Sequence, residues 1–193
     1  MKLAATVAGL FALVGCSSNE ISDHPANPEI QREIAQIVEN VKSETDTQLY
    51  NDLRRLVAYD VFAVDQVSKL AVEPNARLRS NAMWVLAQIK DAERPAINEE
   101  IDAILHKGTK DDDDSVKYEA AAGLAYRGSW DVIPILIDGL ENENPSVRYR
   151  CHDQLVTTTS KDFGYQVDSS ESDRQAAAER WRHWYAGWAR SHG

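Results

Sequence analysis

Apolar side chains recur along this chain at the period of an α-helix, and no segment sustains the alternation of a strand. Ile30, Ile34, Ile37, Val38 and Val41 fall at i, i+4, i+7, i+8 and i+11, which places one stripe on one side of a helix. Leu49, Leu53, Leu56 and Val57 repeat the pattern, as do Leu78, Ala82, Leu86 and Ile89, then Ile97, Ile101, Ile104 and Leu105, then Ile133, Leu136, Ile137 and Leu140. The stripes predict nine helices, over 29–43, 46–58, 60–72, 76–90, 94–107, 115–127, 131–142, 146–159 and 171–190. The breaks carry their own chemistry. Pro74 and Pro145 lie between helices and Pro95 near a helix start. Asp131 is placed to cap the helix after Gly128-Ser129-Trp130, with Pro134 in its first turn. Ser170 followed by Asp173 reads as a capping box for the last helix.

Three of these segments align without gaps at their centres. They are Asn75 to Leu86, Asp113 to Leu124 and Asn144 to Leu155, and their anchors recur at spacings of 38 and 31 residues. Each reads a polar Asn or Asp, an apolar residue plus a base (Leu78-Arg79, Val116-Lys117, Val147-Arg148), a small residue four later, and Leu four later again. The small residue lets two helices approach closely, and no helix pair can bury its face alone, so such repeats must stack. The pattern resembles the HEAT repeat, in the short form first named in phycobilisome lyases. Leu140, Asn142, Asn144, Pro145, Val147 and Arg148 fit it best. The resemblance covers about 60–160 well and 29–59 loosely. It implies an all-α superhelix, a HEAT/ARM-like solenoid of about four helix pairs, closed by an aromatic C-terminal capping helix. Where the family has Leu and Asp, the first repeat has Ala71 and Glu73, and the third has Asn at both Asp positions. The wider first spacing predicts a longer turn around Lys107 to Asp114.

The last helix, 171–190, carries Trp181, Trp184, Tyr185 and Trp188 on one face, joined by Ala177. A solenoid needs terminal closure, so this face is expected to pack over the last repeat. A membrane-surface helix flanked by Arg180, Arg182 and Arg190 is the other reading. The fragment Asp162-Phe163-Gly164-Tyr165 before it is similar to the tail of some bacterial HEAT-repeat proteins.

The N-terminus is of a different kind. Met1-Lys2 is followed by an apolar run from Leu3 to Val14, too short to span a bilayer, which needs about 20 residues. Leu13-Val14-Gly15-Cys16 resembles the lipobox of bacterial lipoproteins. That resemblance implies cleavage after residue 15, a diacylglycerol on Cys16 and an acyl chain such as palmitate on the new amine. Residues 1–15 are then a lipoprotein signal peptide, 16–28 a polar lipidated tether with two prolines, and 29–193 the helical repeat domain. Ser17 stands where Asp would retain a lipoprotein in an inner membrane. The implied address is the cell envelope, at the periplasmic face of an outer membrane if the host has two.

Charge narrows the partners. The chain holds 21 Lys+Arg against 31 Asp+Glu, a formal charge of −10, which argues against nucleic acid, since phosphate binding needs a basic face. Residues 91–145 hold 5 bases against 14 acids, while 146–193 hold 7 against 6. Two cysteines make no disulfide scaffold.

Candidate chemistry is sparse. Lys110 to Asp114 concentrates four carboxylates but lacks the Gly and the closing Glu of an EF-hand loop, and reads as a solvated turn. Cys151 and His152 are adjacent, so on a helix they point about 100° apart and cannot work as nucleophile and base. Cys151 holds the small-residue position of its repeat and is expected in the core. The five histidines show no metal spacing, and no cofactor or small-molecule substrate is indicated. The chain therefore reads as a non-catalytic adaptor or assembly factor with a protein partner. An enzyme of the HEAT-like lyase type and a membrane-surface protein acting through its Trp-rich helix are the alternatives. In HEAT-like solenoids the second helix of each pair lines the concave side. The residues expected to meet a partner there are Arg79, Met83, Trp84, Lys117, Tyr118, Arg148, Tyr149 and Arg150, because aromatic and Arg side chains anchor interfaces. The long turn 160–170 is a second candidate.

Overall fold

The computed structural model describes residues 27–43 and 47–192. The expected signal peptide, Cys16 and all but the end of the tether lie outside the described residues. Within them the chain is helical: α1 (Pro28–Ser43), α2 (Thr47–Ala58), α3 (Val64–Leu70), α4 (Ala76–Gln88), α5 (Pro95–Gly108), α6 (Asp114–Arg127), α7 (Ile133–Gly139), α8 (Pro145–Thr159) and α9 (Glu171–His192). The region expected as one helix over 60–72 is divided. Asp60 takes a left-handed backbone (φ 53°), which ends α2, and a 3-10 turn over Asp60–Ala63 precedes a seven-residue α3.

The helices pair as α1–α2, α3–α4, α5–α6 and α7–α8, and the pairs stack into an α-α solenoid. The second helices, α2, α4, α6 and α8, pack directly on one another, whereas α3, α5 and α7 share few contacts. Tighter spacing in the second layer makes it the inner face of the stack. The predicted stripes form the core: Ile34, Ile37, Leu56, Leu86, Ile101, Leu105, Leu124, Ile133, Leu136 and Leu155 are all fully or almost fully buried. Small residues set the pair spacing, as the motif implied. A methyl added at Gly108 would lie 2.8 Å from Ala120 Cβ, and one at Gly139 would lie 2.3 Å from Cys151 Sγ.

The repeat motif has a mechanical explanation. Asn75, Asp113 and Asn144 cap α4, α6 and α8, their side chains accepting from the backbone N–H of Arg77, Ser115 and Ser146 at 2.9 Å. Two residues earlier, Asp111 and Asn142 accept from the N–H of Asp113 and Asn144, also at 2.9 Å. The base of the motif then folds back. Arg79 Nη1 donates to the carbonyls of Glu73 and Pro74 at 2.9 Å, and Arg148 Nη1 to those of Asn142 (2.9 Å) and Glu143 (2.8 Å). Each arginine thus satisfies carbonyls of its own inter-helix turn, which the helix ends leave without partners.

Two expectations fail here. The wider repeat spacing does not lengthen the turn at 107–114; it lengthens α5, which has 14 residues where α7 has 7. Asp131 does not cap α7. That helix begins at Ile133, its N-cap position is Val132 with no side-chain bond, and Asp131 is exposed. The Ser170 cap does form, with Asp173 N–H donating to Ser170 Oγ at 3.2 Å.

The C-terminal helix closes the stack on the first-layer side. α9 packs on α7, with Trp181 fully buried and edge-on to Phe163 at 4.8 Å. Trp188 stacks on Trp130 at 4.4 Å, and the Tyr185 hydroxyl donates to the Trp130 carbonyl at 3.2 Å. The aromatic stripe faces protein.

Candidate functional site

The second-helix layer differs from the first in charge. The first-layer helices α1, α3, α5 and α7 carry eight Asp+Glu against four Lys+Arg. The second-layer helices carry the reverse, four against eight. Most of those second-layer bases are already engaged, Arg55, Arg79, Arg127 and Arg150 with carboxylates and Arg148 with carbonyls.

The eight residues expected to meet a partner divide by burial. Met83 and Tyr118 are buried, 2% and 5% exposed, because each fills space beside a glycine of a neighbouring helix: Met83 against Gly108, Tyr118 against Gly139. Arg148 is buried at 6% and spends its guanidinium on the carbonyls of Asn142, Glu143 and Val167. These three hold repeats together and are not open to a partner. Arg79 is half-buried and engaged with Asp111, and Arg150 forks onto Glu119, its Nη2 2.9 Å from Oε1. Lys117 is half-buried, its ammonium 4.8 Å over the Tyr118 ring. Trp84 is half-buried and Tyr149 is 63% exposed. Tyr149 occupies the repeat position of Tyr118. Its exposure arises because, among the described residues, no further helix pair follows α7–α8 to cover it as Gly139 of α7 covers Tyr118.

Trp84 does not stand alone. It forms one wall of an open cleft of about 390 Å³ between α2 and α4, with Tyr50, Arg54, Val57, Ala58 and Gln88. The Tyr50 and Trp84 rings lie 6.0 Å apart at 51°. Arg54 holds its guanidinium 5.8 Å from the Tyr50 ring centre, a cation–π contact. Sequence reasoning missed Tyr50 and Arg54. An available signal was an aromatic and an arginine four apart on α2, flanking the Leu49, Leu53, Leu56 and Val57 stripe.

The other candidates are tied into the fold. In the turn 160–170, Tyr165 is buried with its hydroxyl donating to the Leu140 carbonyl at 2.6 Å, and Arg180 Nε donates to the Phe163 carbonyl at 2.9 Å. The turn is a strap anchored over the end of the last pair by Phe163 and Tyr165, with Lys161, Asp162, Gly164, Gln166, Asp168 and Ser170 exposed. The carboxylates of 111–114 cap α6 and bridge repeats: Asp111 to Arg79, and Asp114 to the Asn142 amide at 2.6 Å. Cys151 is fully buried, and burial pushes its thiol up to about 12. His152 is half-buried, its ring 5.0 Å from Tyr165, and burial holds its imidazole below the ordinary histidine value. Among the described residues no group of three or more His, Cys, Asp and Glu converges as a metal site would require. None of the described helices is long and apolar enough to cross a membrane.

Comparison with known families meets this geometry at the same place. A family model for HEAT repeats matches residues 101–163. The matched stretch runs from within α5 through α6, α7 and α8 into the strap. It contains two of the three aligned motifs, those led by the caps Asp113 and Asn144, and the turn-bonding Arg148. Comparison with curated proteins gave no match. The chain is thus an all-α solenoid with HEAT-like repeats, the kind of scaffold that suits protein–protein interaction.

Proposed function

We propose that this chain is a non-catalytic adaptor or assembly factor, held at a bacterial envelope membrane by lipid on Cys16, with the second-helix layer as its protein-docking face. The observation that carries this reading is the set of exposed or half-exposed aromatics Tyr50, Trp84 and Tyr149 on the second-helix layer, with the exposed Arg54 beside the first of them. A rigid stack whose solvent-exposed aromatics lie on one layer favours one orientation of an incoming partner. The lipobox-like Leu13-Val14-Gly15-Cys16 supports the anchor, and Ser17 supports an outer-membrane position in a two-membrane host.

Two measurements test the reading. Cells supplied with an alkyne-bearing palmitate should label the wild-type chain, and Cys16→Ser should abolish both the label and membrane fractionation. Crosslinking in envelope membranes, with tagged full-length chain, should recover a defined protein partner that Trp84→Ala or Tyr149→Ala loses. Recovery unaffected by both substitutions would move the docking face elsewhere.

A further inference from the structure

The arginines of the second-helix layer are nearly all occupied. Arg55 bonds Asp52 at 3.0 Å and Glu33 at 2.9 Å, and Arg77 bonds the carbonyls of Val41 (3.2 Å) and Lys42 (2.9 Å). Arg79 bonds Asp111 at 2.8 Å, Arg127 bonds Asp102, and Arg150 bonds Glu119 at 2.9 Å. Arg148 bonds turn carbonyls, as described. Arg54 is different. Among the described residues it has only the Tyr50 ring beneath it, and no carboxylate or carbonyl accepts from it. A guanidinium carries five N–H donors in a rigid fork that matches a carboxylate. Arg54 is therefore an exposed guanidinium fork lying against an aromatic ring.

The cleft around it supplies the rest of a recognition site. Tyr50 is 52% exposed, so the pair of rings that forms its walls is open to solvent. Val57 and Ala58 give it an apolar side, and the Gln88 carboxamide stands at its rim. The volume of about 390 Å³ suits one large side chain with its flanking backbone, at the small end of ligand pockets.

We infer that the α2–α4 cleft docks an acidic linear segment of a protein partner, packing one aromatic side chain against the contacting Tyr50 and Trp84 rings and setting a neighbouring Asp or Glu carboxylate on Arg54. This rests on the second-helix layer being the docking face. The chemistry fixes the polarity of the partner. A basic segment would leave Arg54 without an acceptor and bring like charges together. An apolar segment without a carboxylate would fill the cleft and desolvate the guanidinium for nothing.

The test uses the full-length chain and fluorescently labelled synthetic peptides. One is an Asp/Glu-rich peptide with a single central Phe, the second has that Phe replaced by Ala, and the third has every acid replaced by Lys. Anisotropy at low salt should show binding of the first alone, weakening as salt rises. Arg54→Glu, an exposed substitution that leaves the core untouched, should lower affinity about ten-fold or more, as loss of an anchor does. Arg54→Lys should retain part of the affinity, and Trp84→Ala should also weaken binding. Equal binding by wild type and Arg54→Glu, or tighter binding of the Lys peptide, overturns the inference. The crosslinking experiment separates this from the broader reading. A partner still captured by Arg54→Glu but lost by Tyr149→Ala sinks the cleft and keeps the docking face. Peptide binding by a chain that captures no partner in membranes keeps the cleft and sinks the adaptor.

Discussion

Arg79 and Asp111 meet across two successive repeats as a two-pronged pair, Nε to Oδ2 and Nη2 to Oδ1, both at 2.8 Å. Both side chains are mostly buried, 19% and 16% exposed, and each also serves its own turn, Arg79 through carbonyls and Asp111 through the Asp113 N–H. The pair therefore ties the capping of one turn to the next. Bonds involving charged groups are worth about 1.5–3 kcal/mol each in partly buried settings. Asp111→Asn and Arg79→Lys should each lower stability by about 1–3 kcal/mol in urea unfolding, with clear non-additivity in the double variant. The guanidinium of Arg79 holds the Asp111 carboxyl below the usual carboxylate range. A depressed folded value means that the stabilisation is complete above the ordinary carboxylate pKa and is lost as pH falls through the folded one. Wild type should lose its advantage over Asp111→Asn on acidification in that range.

Lys117 stands where Arg79 and Arg148 stand in the flanking repeats, yet its ammonium lies over the Tyr118 ring. A lysine is a point donor and cannot span two carbonyls as the guanidinium does. Lys117→Arg should complete the motif by reaching the carbonyls of the 111–112 turn. The expected gain is about 0.5–1.5 kcal/mol, read as a raised thermal midpoint. An unchanged or lowered midpoint would show that the longer α5 has moved this turn out of reach.

The close approach of α7 and α8 depends on Gly139. A Cβ there would stand 2.3 Å from Cys151 Sγ and 2.9 Å from the Tyr118 ring. Gly139→Ala should destabilise by about 1–3 kcal/mol through overpacking, despite alanine's better helix propensity. Adding Cys151→Gly should recover part of the loss, because it removes the nearest atom. The check is a chemical unfolding series on both single variants and the double. Additive losses would place the clash elsewhere.

The solenoid was legible because every level of the pattern agrees: stripes such as Ile30 to Val41, caps at Asn75, Asp113 and Asn144, and small residues at Ala82, Ala120 and Cys151. The candidate surface was legible only in part. Period and register place a residue on a helix face, and they do not say what a neighbouring repeat puts against it. Tyr118 and Tyr149 hold the same register and differ in exposure, 5% against 63%, because among the described residues only Tyr118 has a following helix pair packed against it. The same limit hid Tyr50 and Arg54, which join Trp84 from a helix some thirty residues earlier. It also misplaced the extra residues of the second repeat, since spacing between motifs does not tell a longer helix from a longer turn. Asp131 failed as a cap for a local reason: the backbone turns helical one residue too late for its side chain to reach.

Cys151 and His152 are neighbours in sequence with opposite environments, and both should report on the end of the stack. The Cys151 thiol is fully buried and pushed up to about 12, so it is a poor nucleophile in the folded chain. Alkylation by iodoacetamide at neutral pH should be negligible in the native protein and rapid in urea. Its native rate should rise in Arg79→Lys and Gly139→Ala in step with their lost stability. His152 faces Tyr165 of the strap, with the Asp162 carboxylate 4.0 Å from its Nε2. Burial lowers its folded pKa more strongly than Asp162 and Asp153 raise it. The unfolded chain therefore takes up this proton first as pH falls. The contribution of the neutral ring is complete above the ordinary histidine value of about 6.5 and is lost as pH falls through the folded value. Between pH 7.5 and 5.5 the thermal midpoint of wild type should fall further than that of His152→Gln, the other histidines being common to both proteins. A His152→Gln midpoint that falls as much as wild type would show that the strap leaves this ring effectively in water.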